Sequence, residues 1–381
     1  MAKRKSKTYN LAKIKVIGIG GAGGNAVTRM SGDFVRGVDF VAINTDLQDL
    51  DHCVAKKKIY IGKELTRGLG TGMNPDLGRQ AAEESQSEIA EVLKGADMIF
   101  LTAGFGGGTG TGGLPIVAEI AKDLGILTVA VITKPFSFEG YERARIAEEG
   151  VLRTIDKVDA LIAISNDKIF SIINKNTSLL KAFEAIDEVL KNSVSGVAEL
   201  IATPGIINVD FADVKSIIHS AGSAIIGIGV ASGADRAIHA ADAAIHSPLL
   251  EGNIEGAKRV LFSISGCRDL KMSEINDIAR RVAEQVDSSA RIIFGAHRDR
   301  KLKKGELKVT LVAAGSNSNL MKSDAFIPNL FASENLDLRQ AKSKIDLDKK
   351  ERKEHKIDKE KANSEKDDIW DIPAFLRRKK K

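Results

Sequence analysis

The stretch Gly106-Gly107-Gly108-Thr109-Gly110-Thr111-Gly112 decides the fold of this chain. Five of its seven residues have no Cβ and the other two are small hydroxyl residues, so the backbone amides stay open to a ligand. The apolar stretch 96–103 before it predicts a buried strand, and the spacing of apolar residues from Leu114 to Leu124, with Pro115 near the start, predicts a helix. A flexible linker has a similar composition but does not usually stand between a buried strand and a helix. Because amides and peptide dipoles at a helix start favour an anion, the stretch predicts a phosphate-binding loop.

Strand and helix patterns alternate from Ile14 to about Leu161 around this loop. They predict an α/β fold whose first part is a doubly wound parallel sheet with helices on both faces. A further strand is predicted over Ala160 to Ser165. Apolar residues then recur at three- and four-residue steps from about Ser178 to Ala202, which predicts one long central helix that ends at Thr203-Pro204-Gly205.

A second domain is predicted from about Ala224 to Gly315, with four strand patterns and helices near Asp235–Ala244 and Ser273–Gln285. A short polar link joins its last two strands, which favours antiparallel pairing and therefore a mixed sheet. From about Asn317 to Asp367 the residues are too polar to bury a core, so we expect a disordered tail.

The composition of the 381 residues limits the function classes. The net charge is +6, but 17 Lys/Arg and 13 Asp/Glu lie from Asn317 onward, so residues 1–316 are nearly neutral, unlike a nucleic-acid-binding domain. Cys53 and Cys267 lack a CxxC context, and the six histidines show no ligand spacing, so neither a disulfide framework nor a zinc site is predicted. No stretch approaches the ~18 apolar residues of a membrane span, and the basic N-terminus lacks a signal-peptide core. We therefore expect a soluble, cytoplasmic protein.

A first glycine-rich turn, Gly18-Ile19-Gly20-Gly21-Ala22-Gly23, stands between a strand pattern and a helix predicted from about Asn25. It matches the G-x-G-x-x-G fingerprint of dinucleotide sites, with Asp46 at the end of the second strand, and alone it indicates a nicotinamide-dependent oxidoreductase. The extra Gly24 and the second glycine loop argue against this, because two phosphate loops at adjacent strand ends fit one nucleotide with a long phosphate chain. No G-x-x-x-x-G-K-[ST] motif occurs, so backbone amides and a metal ion would hold the phosphates without a loop lysine.

A third glycine-bearing loop covers residues 68–76 and includes Gly70 and Gly72. It could close over the terminal phosphate of the nucleotide, or it could be a plain surface turn. Its composition favours neither interpretation.

The three loops, in their order and spacing, resemble those of the tubulin/FtsZ family, and GGGTGTG resembles the signature of that family. The resemblance is nearest to the FtsZ branch and extends through most of residues 14–315. It implies a GTPase that binds GTP or GDP with Mg²⁺, polymerises head to tail without nucleic acid or a membrane span, and forms the bacterial division ring at mid-cell. Tubulin-like filament proteins for plasmid partition or cell shape are the nearer alternative, although they are not expected to carry the DIPAFLR segment of the tail.

Guanine recognition is assigned to the start of the central helix. Phe183 and Asp187 are four residues apart and share one helix face, so a ring can stack on a purine while a carboxylate accepts hydrogen bonds from guanine N1–H and N2–H₂. The resemblance assigns this role to both, together with Asn166. From the residues alone, Phe183 is better explained as core packing and Asp187 as part of a solvated helix face.

The resemblance also assigns contacts with the sugar and phosphates to Glu139 and Arg143, which would otherwise be an exposed helix ion pair. Magnesium is expected between the β- and γ-phosphates, without a predicted direct protein ligand, although Asp46 could act through water. The other implied nucleotide-binding residues are Gly20, Gly21, Ala22, Gly23, Gly24, Asn25, Asn44, Asp46, Gly70, Gly72, Gly106, Gly107, Gly108, Thr109, Gly110, Thr111, Gly112 and Pro135.

Catalysis is assigned to Asn208, Asp210 and Asp213, which precede or begin a predicted helix. Read locally, Asp210 is a good N-cap and needs no chemical role. The resemblance implies instead that this acidic loop lies far from the nucleotide of its own subunit and meets the γ-phosphate of the next subunit. Asp210 and Asp213 would then position the attacking water and Asn208 would help to orient it.

The tail ends in a short apolar cluster behind a polar linker, and such a segment can dock into a partner's groove. The resemblance implies binding to membrane-adaptor and regulator proteins through Asp371, Ile372, Pro373, Phe375 and Leu376. The predicted division of the chain is a basic flexible N-terminus (1–12), a GTP-binding domain (13–176), the central helix (177–203), the catalytic loop with its helix (204–223), a C-terminal GTPase-activating domain (224–315), a disordered linker (316–367) and the partner-binding peptide (368–381).

Overall fold

A computed structural model of the chain describes residues 12–32, 37–174, 176–202, 205–247, 252–299 and 301–315. The predictions for residues 1–11, for the linker 316–367 and for the partner-binding peptide 368–381 lie outside these residues. The fold that follows belongs to the described part of the chain.

The strands form one ten-stranded sheet in the order β3-β2-β1-β4-β5-β6-β7-β10-β8-β9. Neighbouring strands from β3 to β7 pair in parallel, which confirms the parallel sheet of the first domain. The strands are β1 (Ile14–Ile19), β2 (Val38–Asn44), β3 (Lys57–Tyr60), β4 (Met98–Gly104), β5 (Leu127–Lys134), β6 (Ala160–Ser165), β7 (Gly222–Ser232), β8 (Arg259–Gly266), β9 (Arg291–Arg298) and β10 (Glu306–Ala314).

Helices cover both faces of the sheet, as expected for a doubly wound fold. They are α1 (Gly20–Ser31), α2 (Leu47–His52), α3 (Lys63–Thr66), α4 (Pro75–Glu84), α5 (Gln86–Leu93), α6 (Thr109–Asp123), α7 (Tyr141–Thr154), α8 (Leu179–Ala202), α9 (Phe211–Ile218), α10 (Arg236–Ile245) and α11 (Met272–Ala283). Short 3₁₀ turns occupy Ser137–Glu139, Ile155–Lys157 and Asn166–Ser171.

The apolar strands are buried on both faces because successive side chains point to opposite sides. In β1, Val16 packs in the core that contains α1, α8 and α9, whereas Ile17 packs in the core that contains α4 to α7. A third core lies between β7 to β10 and the helices α10 and α11. These three cores confirm the predicted α/β fold with a C-terminal α/β part.

Two predicted helix starts are wrong. Helix α1 begins at Gly20 and not near Asn25, and α6 begins at Thr109 and not near Leu114. The glycines that we expected to form loops supply the first helical turns, because their missing Cβ atoms allow close packing. A Cβ on Gly112 would overlap the carbonyl oxygen of Pro75 at the start of α4.

The last two strands, β9 and β10, are not paired with each other, and the antiparallel pairing that their short polar link favoured is made by β10 with other strands. Strand β10 is antiparallel to both β7 and β8, and β9 pairs in parallel with β8 at the edge of the sheet. Burial explains why β10 lies inside the sheet and β9 lies at its edge. Strand β10 is buried along most of its length, whereas β9 begins and ends at exposed arginines, which suit an edge strand. The prediction of a mixed sheet is confirmed.

The central helix α8 extends over 24 residues, as the apolar spacing predicted. Its stripe of Leu190, Val194 and Val197 is buried against the sheet. Within the described ranges, no helix is long and apolar enough to cross a bilayer.

Candidate functional site

A cavity of about 590 Å³ opens at the carboxyl ends of β1, β2, β4, β5 and β6. The sheet order places β1 beside β4, where connections leave in opposite directions, and ligands of open α/β sheets bind at such a point. The sequence-predicted residues that line it are Gly20, Gly21, Ala22, Asn44, Asp46, Gly70, Gly72, Gly107, Gly108, Thr109, Gly110, Pro135, Glu139, Arg143, Asn166 and Phe183. The first, second and third glycine loops therefore meet at one cavity.

Two glycines of the second loop, Gly108 and Gly110, pack too tightly for a side chain. A Cβ on Gly108 would lie 2.6 Å from the carbonyl oxygen of Asn74, and one on Gly110 would lie 2.7 Å from that of Gly104. Gly106 has a φ of 101°, a conformation that other residues rarely adopt. These glycines bring backbone amides at the start of α6 to the cavity wall, as a phosphate site needs.

Hydroxyl groups tie the three loop regions together. The Thr109 hydroxyl lies 2.6 Å from that of Thr45, after β2, and 2.8 Å from that of Thr71 in the third loop. The Gly108 N–H donates to the carbonyl oxygen of Gly72 at 2.7 Å. The third loop is therefore a wall of the cavity and not a plain surface turn.

One end of the cavity has the features of a base-binding pocket. The ring of Phe183 is 42% exposed and meets Phe136 edge-on, with 5.8 Å between ring centroids. Asn166 is buried, and its Oδ1 has no hydrogen-bond partner among the described residues. A half-exposed ring and an unused amide oxygen fit an aromatic ligand that carries N–H donors.

Asp187 lies one helical turn beyond Phe183 but outside the cavity lining. Its Oδ2 lies 2.8 Å from Arg29 Nε of α1. Burial raises the pKa of Asp187 to about 6, against the lowering effect of Arg29, and Glu184 adds to the rise. The carboxylate is therefore desolvated before any ligand binds, which lowers the cost of burying it against a base.

Glu139 and Arg143 form an ion pair with each other at the wall of the cavity. The Arg143 guanidinium donates to Glu139 Oε2 at 2.6 Å, and both residues line the cavity. Glu139 Oε1 also accepts the N–H of Phe136, which fixes this carboxylate beside the base pocket.

Several predicted residues do not line the cavity. Gly23 packs on β4, where a Cβ would meet the Thr102 carbonyl oxygen at 2.5 Å, and Asn25 is exposed on α1. The Thr111 hydroxyl instead accepts the N–H of Gly106 at 3.0 Å, which shapes the second loop from inside. The full set outside the lining is Gly23, Gly24, Asn25, Gly106, Thr111, Gly112 and Asp187.

Sequence reasoning missed part of the lining, and Asp49 is the main charged residue among those missed. Its position three residues after Asp46, in the first turn of a short helix, is the only signal that could have suggested it. The other missed residues are Ile19, Leu69, Thr71, Gly104, Phe105 and Thr133.

The predicted catalytic residues lie elsewhere. Asp210 occupies the N-cap position of α9, but its side chain makes no capping hydrogen bond, and Asp213 is exposed in the first turn. Asn208 Oδ1 accepts the N–H of Gly205 at 2.6 Å, which fixes the loop. None of the three lines the nucleotide cavity.

Fold and cavity together define a class: a nucleotide-binding α/β protein whose phosphate site is built from glycine-rich backbone without a P-loop lysine. Two family profiles match the sequence: the Tubulin/FtsZ family GTPase domain over residues 13–174 and the FtsZ family C-terminal domain over residues 222–317. The chain belongs to the tubulin/FtsZ family and is a GTPase that binds GTP and GDP.

Solved structures agree with this assignment. An FtsZ dimer from M. jannaschii is 47% identical, with a TM-score of 0.77, and the match covers 81% of this chain and 89% of that one. CetZ2 from Haloferax volcanii, in a GTPγS-bound protofilament, is 25% identical with a TM-score of 0.69, over 82% and 96% of the two chains. CetZ1 from the same organism, a GDP-bound monomer, is 23% identical with a TM-score of 0.69 over 81% and 96%, and supports the fold alone.

Proposed function

We propose that this protein is a self-assembling GTPase that forms head-to-tail protofilaments, in which the acidic loop of one subunit completes the GTP site of the next. The filament builds the cytokinetic ring of cell division at mid-cell. GTP lies in the cavity described above, with guanine against Phe183 and its phosphates on the glycine loops.

The observation that carries the proposal is the length of α8. Phe183 lies at the cavity, and the helix continues to Ala202 before the acidic loop begins. At a rise of 1.5 Å per residue this separates the two ends by about 28 Å. Asp210 and Asp213 therefore stand far from the GTP of their own subunit and are exposed for contact with another.

The chemistry fits a shared site. The cavity offers backbone amides for the phosphates, and no lysine of the described ranges lines it. Phosphoryl transfer depends mainly on positioning and charge stabilisation, so a carboxylate supplied by the next subunit makes hydrolysis conditional on assembly. Asp210 and Asp213 would orient the water, and Asn208, fixed to Gly205, would hold the loop in shape.

Magnesium fits the oxygen donors of the cavity. Asp46 and Thr109 line the cavity and carry carboxylate and hydroxyl oxygens, and Mg²⁺ prefers oxygen ligands together with phosphate oxygens. When bound, the metal neutralises phosphate charge. In the described ranges, no group of three or more Asp, Glu, His or Cys could hold a metal by itself, so the phosphates would complete the site.

Assembly and division rest on relatives and on the tail. The CetZ2 structure is a protofilament with GTPγS, and a homopolymer of this chain follows by similarity. The higher identity to FtsZ favours a role in division over one in plasmid partition or cell shape. The segment Asp371 to Leu376 would bind membrane adaptors and regulators and so attach the filament to the division site.

The test is the Asp213→Ala variant. We expect it to bind GTP like wild type and to sediment as polymer on GTP addition, while GTPase activity falls ~10²-fold or more because the attacking water is no longer positioned. Loss of GTP binding in the variant would contradict the division of the site between subunits.

A further inference from the structure

The acidic loop that precedes α9 is hydrogen-bonded to the edge strand β9. The carbonyl oxygen of Ala296 accepts the N–H groups of Ile206 and Ile207 at 2.7 and 3.0 Å, and the Ala296 N–H donates to the carbonyl oxygen of Ile207 at 3.0 Å. Asp210, the first of the two aspartates that we assign to hydrolysis, follows Ile207 by three residues. A displacement of β9 at Ala296 would therefore move the loop and its aspartates.

The packing around this contact is tight. A Cβ on Gly205 would lie 2.6 Å from the carbonyl oxygen of Ala296. A Cβ on Gly295 would lie 2.9 Å from side-chain atoms of Leu200 in α8 and of Val209 in the loop. Because closely packed backbone shifts only together with its neighbours, the loop takes its position from β9.

His297, the next residue of β9, is a buried polar side chain that lies outside the nucleotide cavity. Its Nδ1 lies 3.2 Å from Ser263 Oγ and its Nε2 lies 3.0 Å from Ser265 Oγ, both on β8. The same Nε2 lies 3.5 Å from Oε2 of Glu199, in the last turn of α8. Because a buried polar group that loses its partners costs free energy, these contacts hold the imidazole between β8 and α8.

Glu199 also joins α8 to β10. Its Oε2 lies 3.5 Å from Lys308 Nζ, and Lys308 Nζ lies 3.7 Å from Oδ2 of Asp299, just after β9. Burial raises the pKa of Glu199, whereas His297 and Lys308 lower it by more, so the pKa of this carboxyl lies below its ordinary value. Glu199 is therefore a carboxylate at neutral pH, and a charge at a largely buried site depends on its partners.

We propose that His297 is a positioning residue for GTP hydrolysis: it fixes β9 to the end of α8 through Glu199, and β9 in turn fixes the acidic loop through Ala296. The inference rests on the proposed function, in which this loop completes the GTP site of the next subunit. Phosphoryl transfer depends on accurate placement, so an error of about 1 Å in the loop can lower the rate ~10²-fold. GTP binding stays intact, because the cavity lies at the other end of α8.

Three variants test this role. His297→Leu removes the contacts with Glu199 and the two serines, Glu199→Gln removes the charge and keeps the size of the side chain, and His297→Gln restores a group that forms hydrogen bonds. We expect the GTPase rate per polymerised subunit to fall about 10- to 100-fold in His297→Leu and by a smaller factor in Glu199→Gln, with partial recovery in His297→Gln. The affinity for a non-hydrolysable GTP analogue should stay at the wild-type value in all three.

The experiment uses the full chain. It divides the GTPase rate by the amount of polymer found in sedimentation and measures binding of the analogue by equilibrium dialysis. The matched control is His239→Leu, the same change at an exposed residue of α10, which should keep the wild-type rate. Thermal melting checks that each variant folds. A role in stability alone would lower the melting temperature and leave the rate per polymerised subunit unchanged, so this rate separates the two roles.

Wild-type rates in both His297→Leu and Glu199→Gln would overturn the inference. Loss of polymer with intact analogue binding would also overturn it, because His297 would then serve assembly. Loss of cooperative melting in all three variants would overturn it as well, because these side chains would then hold the whole fold.

The Asp213→Ala variant, measured in parallel, separates these failures from a failure of the proposed function. If Asp213→Ala hydrolyses GTP at the wild-type rate, the shared site itself is contradicted. If Asp213→Ala loses the rate while His297→Leu and Glu199→Gln keep it, the shared site stands and only the role of His297 is refuted.

Discussion

Acidification is expected to weaken nucleotide binding through Asp187. Burial raises the pKa of this carboxyl to about 6, even though Arg29 Nε lies 2.8 Å from its Oδ2 and opposes the rise. In the proposed site only the ionised carboxylate can accept hydrogen bonds from both guanine N–H groups. Nucleotide affinity should therefore fall as the pH drops through about 6.

The size of the effect follows from the pKa. With a pKa of about 6, Asp187 is about 90% ionised at pH 7 and about 10% at pH 5, so the apparent Kd should rise about tenfold between these values. The stability of the unliganded protein changes in the opposite direction. Because the folded pKa lies above the ordinary 3.8, the contribution of Asp187 is most favourable below about pH 4, and it declines by ~3 kcal/mol at most as the pH rises past 6.

The assay is calorimetric titration of GDP at pH 5, 6 and 7 into wild type and Asp187→Asn. The phosphates of GDP also titrate in this range, so the variant, which stays neutral, supplies the reference. We expect the wild-type advantage over the variant to shrink about tenfold from pH 7 to pH 5. An advantage that is constant across the range would refute the role of Asp187 in binding the base.

Three further predictions concern packing, charge and the tail. Gly108→Ala should lower stability by about 1–3 kcal/mol in thermal melts without nucleotide, because its Cβ would overlap rigid backbone, whereas Gly107→Ala, whose Cβ meets nothing within 4 Å, should melt like wild type. Arg236→Met should cost about 3–5 kcal/mol in urea unfolding because it leaves two carboxylates without their buried partner, and Arg280→Met, at an exposed site, should cost little; equal costs would contradict this. Deleting residues 370–381 should leave GTPase activity intact and abolish adaptor binding in pull-downs; adaptor binding by the truncated chain would contradict the role of the tail.

The glycine runs could be located from the sequence because their composition has few uses between a strand and a helix. The same glycine-rich composition led to wrong predictions for the helix starts, because α1 begins at Gly20 and α6 at Thr109. Residues without a Cβ allow close packing between helices as well as close contact with a ligand. A glycine run shows that backbone must approach something closely. It does not show whether that partner is a phosphate or a neighbouring helix.

Other features depend on contacts between distant segments and could not be predicted. The hydroxyl group of Thr109 meets those of Thr45 and Thr71 only because three connections converge at one sheet edge. Asp49 has no distinctive spacing, and its place over Gly21 is set by the turn of α2 against α1. Strand β10 lies between β7 and β8 and does not pair with β9. Its burial decides this position, although a short link locally favours pairing between the two strands that it joins.

The central claim, that one subunit completes the GTP site of the next, is tested most directly by the GTPase rate per molecule as a function of protein concentration. We predict a rate near zero at low concentration, because α8 extends about 28 Å from Phe183 to Ala202 and so separates the cavity from the acidic loop of the same subunit. The rate should rise above a threshold concentration that coincides with polymer in sedimentation. A rate per molecule that stays constant down to concentrations without polymer would contradict it.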